Sequence, residues 1–108
     1  MATSASETRQ AAIAESVSVT DDELVIALRD GRTLAVPLAW YPRLIHGTAA
    51  ERTNWQLIGR GVGIHWPELD EDISVVQVLA GVPSGENAGS LEKWLGARRA
   101  AAQQGNAG

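Results

Sequence analysis

Apolar and polar side chains begin to alternate at Val17. Val17 and Val19 are separated by Ser16, Ser18 and Thr20, the two-residue period of a half-buried strand. Asp21-Asp22 interrupts the pattern, a second strand is predicted over residues 23–29, Asp30-Gly31 breaks it again, and a third runs over residues 32–36 to Pro37. The parity of these strands constrains the turn between them. A two-residue loop at Asp30-Gly31 sets Leu28, Ile26 and Leu24 opposite Thr33, Ala35 and Pro37. A three-residue loop with a bulge at Gly31 sets Ile26 opposite Leu34 and Leu24 opposite Val36. The second pairing gives one coherent apolar face and is the preferred register.

Shorter patterns follow. Pro42 at a first helical position predicts a helix over residues 42–46, and the capping box of Thr48 with Glu51 predicts another over residues 49–53. Residues 55–58 and 62–66 form a second hairpin about Gly59-Arg60-Gly61, with Trp55 facing Trp66, Leu57 facing Ile64, and His65 on the opposite face. Ser74 reads as the N-cap of a helix over residues 75–80, with Gln77 as its capping-box partner and Ile73 stapled against Val78. Gly81 and Pro83 stop it. Ser90 is expected to cap a last helix over residues 90–103, with Leu91, Trp94, Leu95 and Arg98 on one stripe. The expected organisation is a mobile tail over 1–15, an α+β domain over 16–82, a Pro/Gly/Ser/Asn linker over 83–89, the C-terminal helix, and a disordered tail over 104–108. The fold class is α+β: a small antiparallel sheet of about five strands in two hairpins plus an N-terminal strand, with short helices on one side.

Composition narrows the setting. At 108 residues the chain is one domain. It has no cysteine, which excludes a thiolate nucleophile, a thiolate metal site and a disulfide scaffold, and fits a reducing cytoplasm. The first ten residues lack a signal-peptide core, and no run approaches the ~20 apolar residues of a spanning helix, so a soluble, cytoplasmic protein is expected. Thirteen acidic against nine basic side chains give a net charge of -4, which disfavours binding to nucleic acid through phosphate contacts.

The densest chemistry lies in Glu68, Asp70, Glu71 and Asp72, read as an acidic loop between the last strand and a helix start. The spacing lacks the twelve-residue span and central glycine of a calcium loop, so no metal is assigned. His46 and His65 form no zinc pattern, and Ser74, Ser84 and Ser90 lie in no nucleophile elbow. Gly59-Arg60-Gly61-Val62-Gly63 joins two strands and leads into no helix able to receive a phosphate. No catalytic residue and no cofactor is assigned.

Asp30-Gly31-Arg32, the stretch from Pro37 to Leu44, Glu51-Arg52-Thr53-Asn54-Trp55 and the run from Gly63 to Ser74 resemble the small bacterial family known as domain of unknown function twenty-four forty-two. Ser90-Leu91-Glu92-Lys93-Trp94-Leu95 resembles a common ending of that family. The resemblance implies a small α+β domain without established activity, catalytic residue or cofactor. It also implies an antitoxin or partner-neutralising role, because many relatives are encoded beside a small toxin-like protein. Some relatives continue into a helix-turn-helix; here only one helix's worth of sequence follows Pro83.

The expectation is therefore a non-enzymatic protein-interaction module. It binds a small, basic protein partner through Glu68, Asp70, Glu71 and Asp72, with Trp66, Tyr41 and Arg43 as neighbouring anchors. A homodimer through an exposed sheet edge is a further expectation. The alternatives are a nucleic-acid-associated regulator working through Lys93, Arg98 and Arg99 on the last helix, or a small metal-binding or enzymatic domain built on His65 and the nearby carboxylates.

Overall fold

The computed structural model describes residues 12–106. Residues 1–11 of the expected mobile tail, and residues 107 and 108, lie outside the described residues.

Strands β1 (Ala14–Val19), β2 (Glu23–Leu28) and β3 (Thr33–Pro37) form an antiparallel sheet in the order β1-β2-β3. Ile26 lies opposite Leu34 and Leu24 opposite Val36, the register that the apolar face requires. The turn works as the bulge predicts. Gly31 takes φ +96°, Asp30 accepts from the Arg32 amide at 3.1 Å, and Leu28 donates to the Arg32 carbonyl at 2.8 Å. Order starts earlier than the alternation shows. Ala12 and Ala14 are buried, because small side chains let this segment pass close to the turn at Gly61. A Cβ on Gly61 would lie 2.6 Å from the Ala14 carbonyl oxygen.

A 3-10 turn at Leu38–Trp40 leads into α1 (Pro42–Ile45) and α2 (Ala49–Thr53). Thr48 and Glu51 make the reciprocal capping box: the Glu51 amide donates to Thr48 Oγ1 at 3.1 Å and the Thr48 amide to Glu51 Oε1 at 2.8 Å.

The second sheet is β4 (Gln56–Ile58), β5 (Gly63–Trp66) and β6 (Glu71–Ser74), in that order and antiparallel. Leu57 faces Ile64, as the hairpin parity requires. Strand β6 corrects the sequence reading, so the class remains α+β but with six strands in two sheets rather than about five. Residues 67–70 close a tight connection in which Asp70 takes φ +50°, and Glu71 and Asp72 then pair with Trp66 and His65. Only one of the four β6 side chains is apolar, so alternation gave no strand signal. What stood as an acidic loop is half turn and half strand.

Helix α3 (Val75–Leu79) follows at once. Ser74 occupies the N-cap position, but its side chain makes no capping bond, so the expected box with Gln77 is not formed. The other end closes as a Schellman motif: Gly81, at φ +79°, donates to Val78 at 3.0 Å and Val82 to Gln77 at 2.9 Å. Helix α4 (Ala88–Asn106) starts ahead of Ser90, because the Asn87 side chain accepts from the Ser90 amide at 2.8 Å and takes the capping role.

Leu24, Ile26, Leu28, Leu38, Leu44, Ile64, Trp66, Leu69, Ile73 and Val75 fill the core between the sheets and the short helices. Among the described residues, no helix is long and apolar enough to cross a membrane.

Candidate functional site

The hairpin of β5 and β6 sorts the acidic residues by parity. Trp66, Ile64, Ile73 and Glu71 share the inner face; His65 and Asp72 share the outer one. Glu71 is thus an acid at a core-facing position, opposite Trp66. Asp72 points outward and pairs with the His65 ring across the strands. In the turn, Glu68 is exposed and accepts from Asn54 Nδ2 at 2.7 Å, while the Asp70 side chain stands in solvent.

Two of the expected surface anchors are core residues, which corrects their assignment. Trp66 is completely buried, and its indole N–H donates to the Arg52 carbonyl at 3.0 Å. Tyr41 is buried at the start of α1, where its ring closes the inner wall of a cleft. Trp66 is drawn inward on the inner face of β5 and Tyr41 from the start of α1, so neither stands out on the surface as an anchor.

The cleft has a volume of about 260 Å³ and is lined by Tyr41, Glu71, Asp72, Gln77, Ser84 and Glu86. Glu71 Oε1 accepts from the Asp72 amide at 3.2 Å. Its Oε2 is closed off from solvent and meets no hydrogen-bond partner among the described residues. Burial pushes this carboxyl up to about 7; Arg43 opposes the shift, and the charges of Glu86 and Asp72 add to it. Burial, with Glu71 nearby, raises the Tyr41 phenol as well.

Arg43 joins the cleft to the C-terminal helix. Its Nε and Nη2 each lie 3.2 Å from Glu86 Oε1, and its Nη1 donates to the Asp70 carbonyl at 2.9 Å. The Arg43 and Glu86 side chains are only 16% and 12% exposed, so this is a largely desolvated pair. The guanidinium lies 5.1 Å from the centre of the Trp94 ring, and Arg98 lies 4.8 Å from the same ring. Arg98 in turn grips Glu51 at 2.8 and 3.2 Å, which holds the Glu51 carboxyl below its ordinary range. The last helix therefore docks on its own domain. Glu86 carried no sequence signal, since one acid among Pro, Gly, Ser and Asn reads as linker.

A second depression, about 490 Å³, opens on the other side of β6, between the β4–β5 turn and α3. Ile58, Val62 and Val76 form its apolar walls, and Asp72 and Gln77 its rim. Among the described residues there is no grouping of three metal-ligating side chains.

Two three-stranded antiparallel sheets with short covering helices, a carboxyl-lined cleft and a docked terminal helix define a small α+β domain. The chain belongs to the family described as Protein of unknown function (DUF2442), whose model matches residues 14–84. Two solved structures share the fold. One, a protein of unknown function from Rhodospirillum rubrum ATCC 11170, is 24% identical over 68% of this chain and 92% of its own, with a TM-score of 0.59. The other, an uncharacterized protein from Chromobacterium violaceum solved by NMR, is 20% identical over 68% and 69%, with a TM-score of 0.58. No curated protein matches the chain.

Proposed function

We propose that this domain is a non-enzymatic protein-interaction module of the cytoplasm, antitoxin-like in that it binds and neutralises a small basic protein encoded beside it. The observation that carries this reading is the apolar groove. Ile58, Val62 and Val76 leave 43%, 48% and 46% of their surfaces exposed around one depression, and clustered exposed apolar side chains with a polar rim mark contact surfaces. Charge supports a basic partner. Arg32, Arg43, Arg52 and Arg98 are all paired with acids of the chain itself, whereas Asp72, on the rim of the groove, keeps a largely exposed side chain beside His65.

This relocates the contact surface from the acidic turn alone to the groove beside it, with Asp72 at the junction. An enzymatic use of Glu71 is disfavoured by geometry, since an acid or base must reach the proton it transfers and Oε2 is enclosed. Nucleic-acid binding through α4 is disfavoured too, because the Arg98 guanidinium is occupied by Glu51.

Calorimetric titration of the full chain with the neighbour-encoded protein tests the reading. Val62→Asp in the groove is expected to weaken binding by roughly tenfold or more, a loss of about 1.4 kcal/mol, with the fold unchanged by circular dichroism. Equal affinity in the Val62→Asp chain overturns the groove. Self-association of the free chain that Val62→Asp abolishes assigns the groove to a homodimer instead.

A further inference from the structure

Two carboxylates line the cleft, Glu71 from β6 and Glu86 from the connector over residues 82–87, and Arg43 of α1 pairs with Glu86 from outside the lining. Glu86 has Arg43 and is almost enclosed; Glu71 has only the amide of Asp72, and its second oxygen is sealed without a partner. Both ionised carboxyls facing one cation leave a net negative charge in a desolvated space, which is unfavourable.

The same guanidinium supports the terminal helix. Trp94 packs on Arg43, and Glu86 sits two residues before α4 begins. Of the side-chain contacts that dock the connector and helix, two converge on Arg43, while Arg98 reaches Glu51 and the Glu68 carbonyl apart from it. Any change in what Arg43 pairs with is felt by connector and helix together.

We propose that Glu71, Arg43 and Glu86 form a proton-operated latch on the connector and α4. With Glu71 protonated, Arg43 belongs to Glu86, and the connector closes over the cleft with Trp94 seated. With Glu71 ionised, it competes for Arg43 and repels Glu86, and the population shifts toward a released connector and helix. The groups facing Glu71 fix this direction. Tyr41 is neutral throughout, Asp72 on the same strand adds negative charge, and Arg43 is the one cation acting on Glu71 among the described residues. Because burial places the Glu71 transition near neutrality, the latch operates in the physiological range.

Amide hydrogen exchange on the full chain reads the latch directly. The Ser84 amide donates to the Trp40 carbonyl at 3.1 Å and reports the connector; the Leu91 amide, bonded to the Asn87 carbonyl at 3.0 Å, reports the first turn of α4. After correction for intrinsic exchange, protection at both sites is expected to fall about fivefold or more between about pH 6 and pH 8, while the Ile64 amide in the core stays the more strongly protected at every pH. Glu71→Gln should keep both sites protected across that range. Glu86→Gln, which alters only the connector side of the pair, should leave them weakly protected even at the acidic end. A flat profile in the parent chain overturns the proposal, as does an equal fall in Glu71→Gln; the Ile64 amide separates either result from a general loss of fold.

Discussion

Glu71 and Asp72 are neighbours with opposite fates, and one strand parity decides which is which. Asp72 lies on the outer face with His65; Glu71 lies on the inner face across from Trp66, where its carboxyl titrates near 7 instead of the ordinary 4.5. Between those two values the folded chain holds a proton that the unfolded chain has lost, so stability declines as pH rises through the window. Glu71→Gln removes that dependence. Its melting temperature is expected to pull ahead of the parent chain's as pH climbs from 4.5 to about 7, with the gap then constant, when followed by differential scanning fluorimetry at matched ionic strength. A gap that does not grow over this interval would place the Glu71 carboxyl in ordinary solvation. At this scale the sequence identified the acidic group but not its orientation. Trp66 beside four carboxylates looks like an interface anchor, because an aromatic residue carries no mark of which side of a sheet it will occupy.

Turns show where sequence reading succeeds at the level of elements. Asp30-Gly31 was legible because glycine in the left-handed region and an apolar face on both flanking strands admit one register. The box of Thr48 and Glu51 was legible because it is local in sequence. Strand β6 was not, since its pairing with β5 depends on a turn through Asp70 and on a partner strand rather than on its own pattern. Two glycines make a test of how far local rules extend. Gly31 and Gly61 both take φ near +97°, yet a side chain at position 31 meets nothing within 4 Å, whereas at position 61 it collides with Ala14 O at 2.6 Å. Gly31→Ala is expected to cost about 1 kcal/mol from backbone strain, and Gly61→Ala about 2 kcal/mol or more, because backbone contact between β1 and the turn is lost as well. Urea denaturation of the two variants checks the order, and equal midpoints would contradict it.

For the whole molecule, the family match ends at residue 84 and the terminal helix lies beyond it. Its docking depends on charge and ring stacking more than on buried aliphatic surface, as Leu91 and Leu95 remain only half-buried while two guanidinium groups lie over the Trp94 ring. The helix itself was readable from Leu91, Trp94, Leu95 and Arg98. Its receptor was not, since Glu51 and Arg43 lie far away in sequence. A double-mutant cycle between Thr48→Ala and Arg98→Ala measures how tightly this attachment is bound into the domain. The Thr48 hydroxyl holds the Glu51 amide and Arg98 holds the Glu51 carboxylate, so the two losses are expected to depart from additivity by about 0.5 kcal/mol or more; a sum within about 0.3 kcal/mol would mean that the helix is only an appendage.

Glu51 Oε1 receives the Thr48 amide at 2.8 Å and the Arg98 guanidinium at 2.8 Å, so one oxygen both starts α2 and moors α4. A mooring on such a point conveys tension inward. Whatever pulls the terminal helix away, a partner or a rise in salt, also loosens the opening turn of α2, and a disturbance there frees the helix in return. The chain thereby ties its outermost element to α2, which stands between its two sheets in sequence, through a carboxylate that both share.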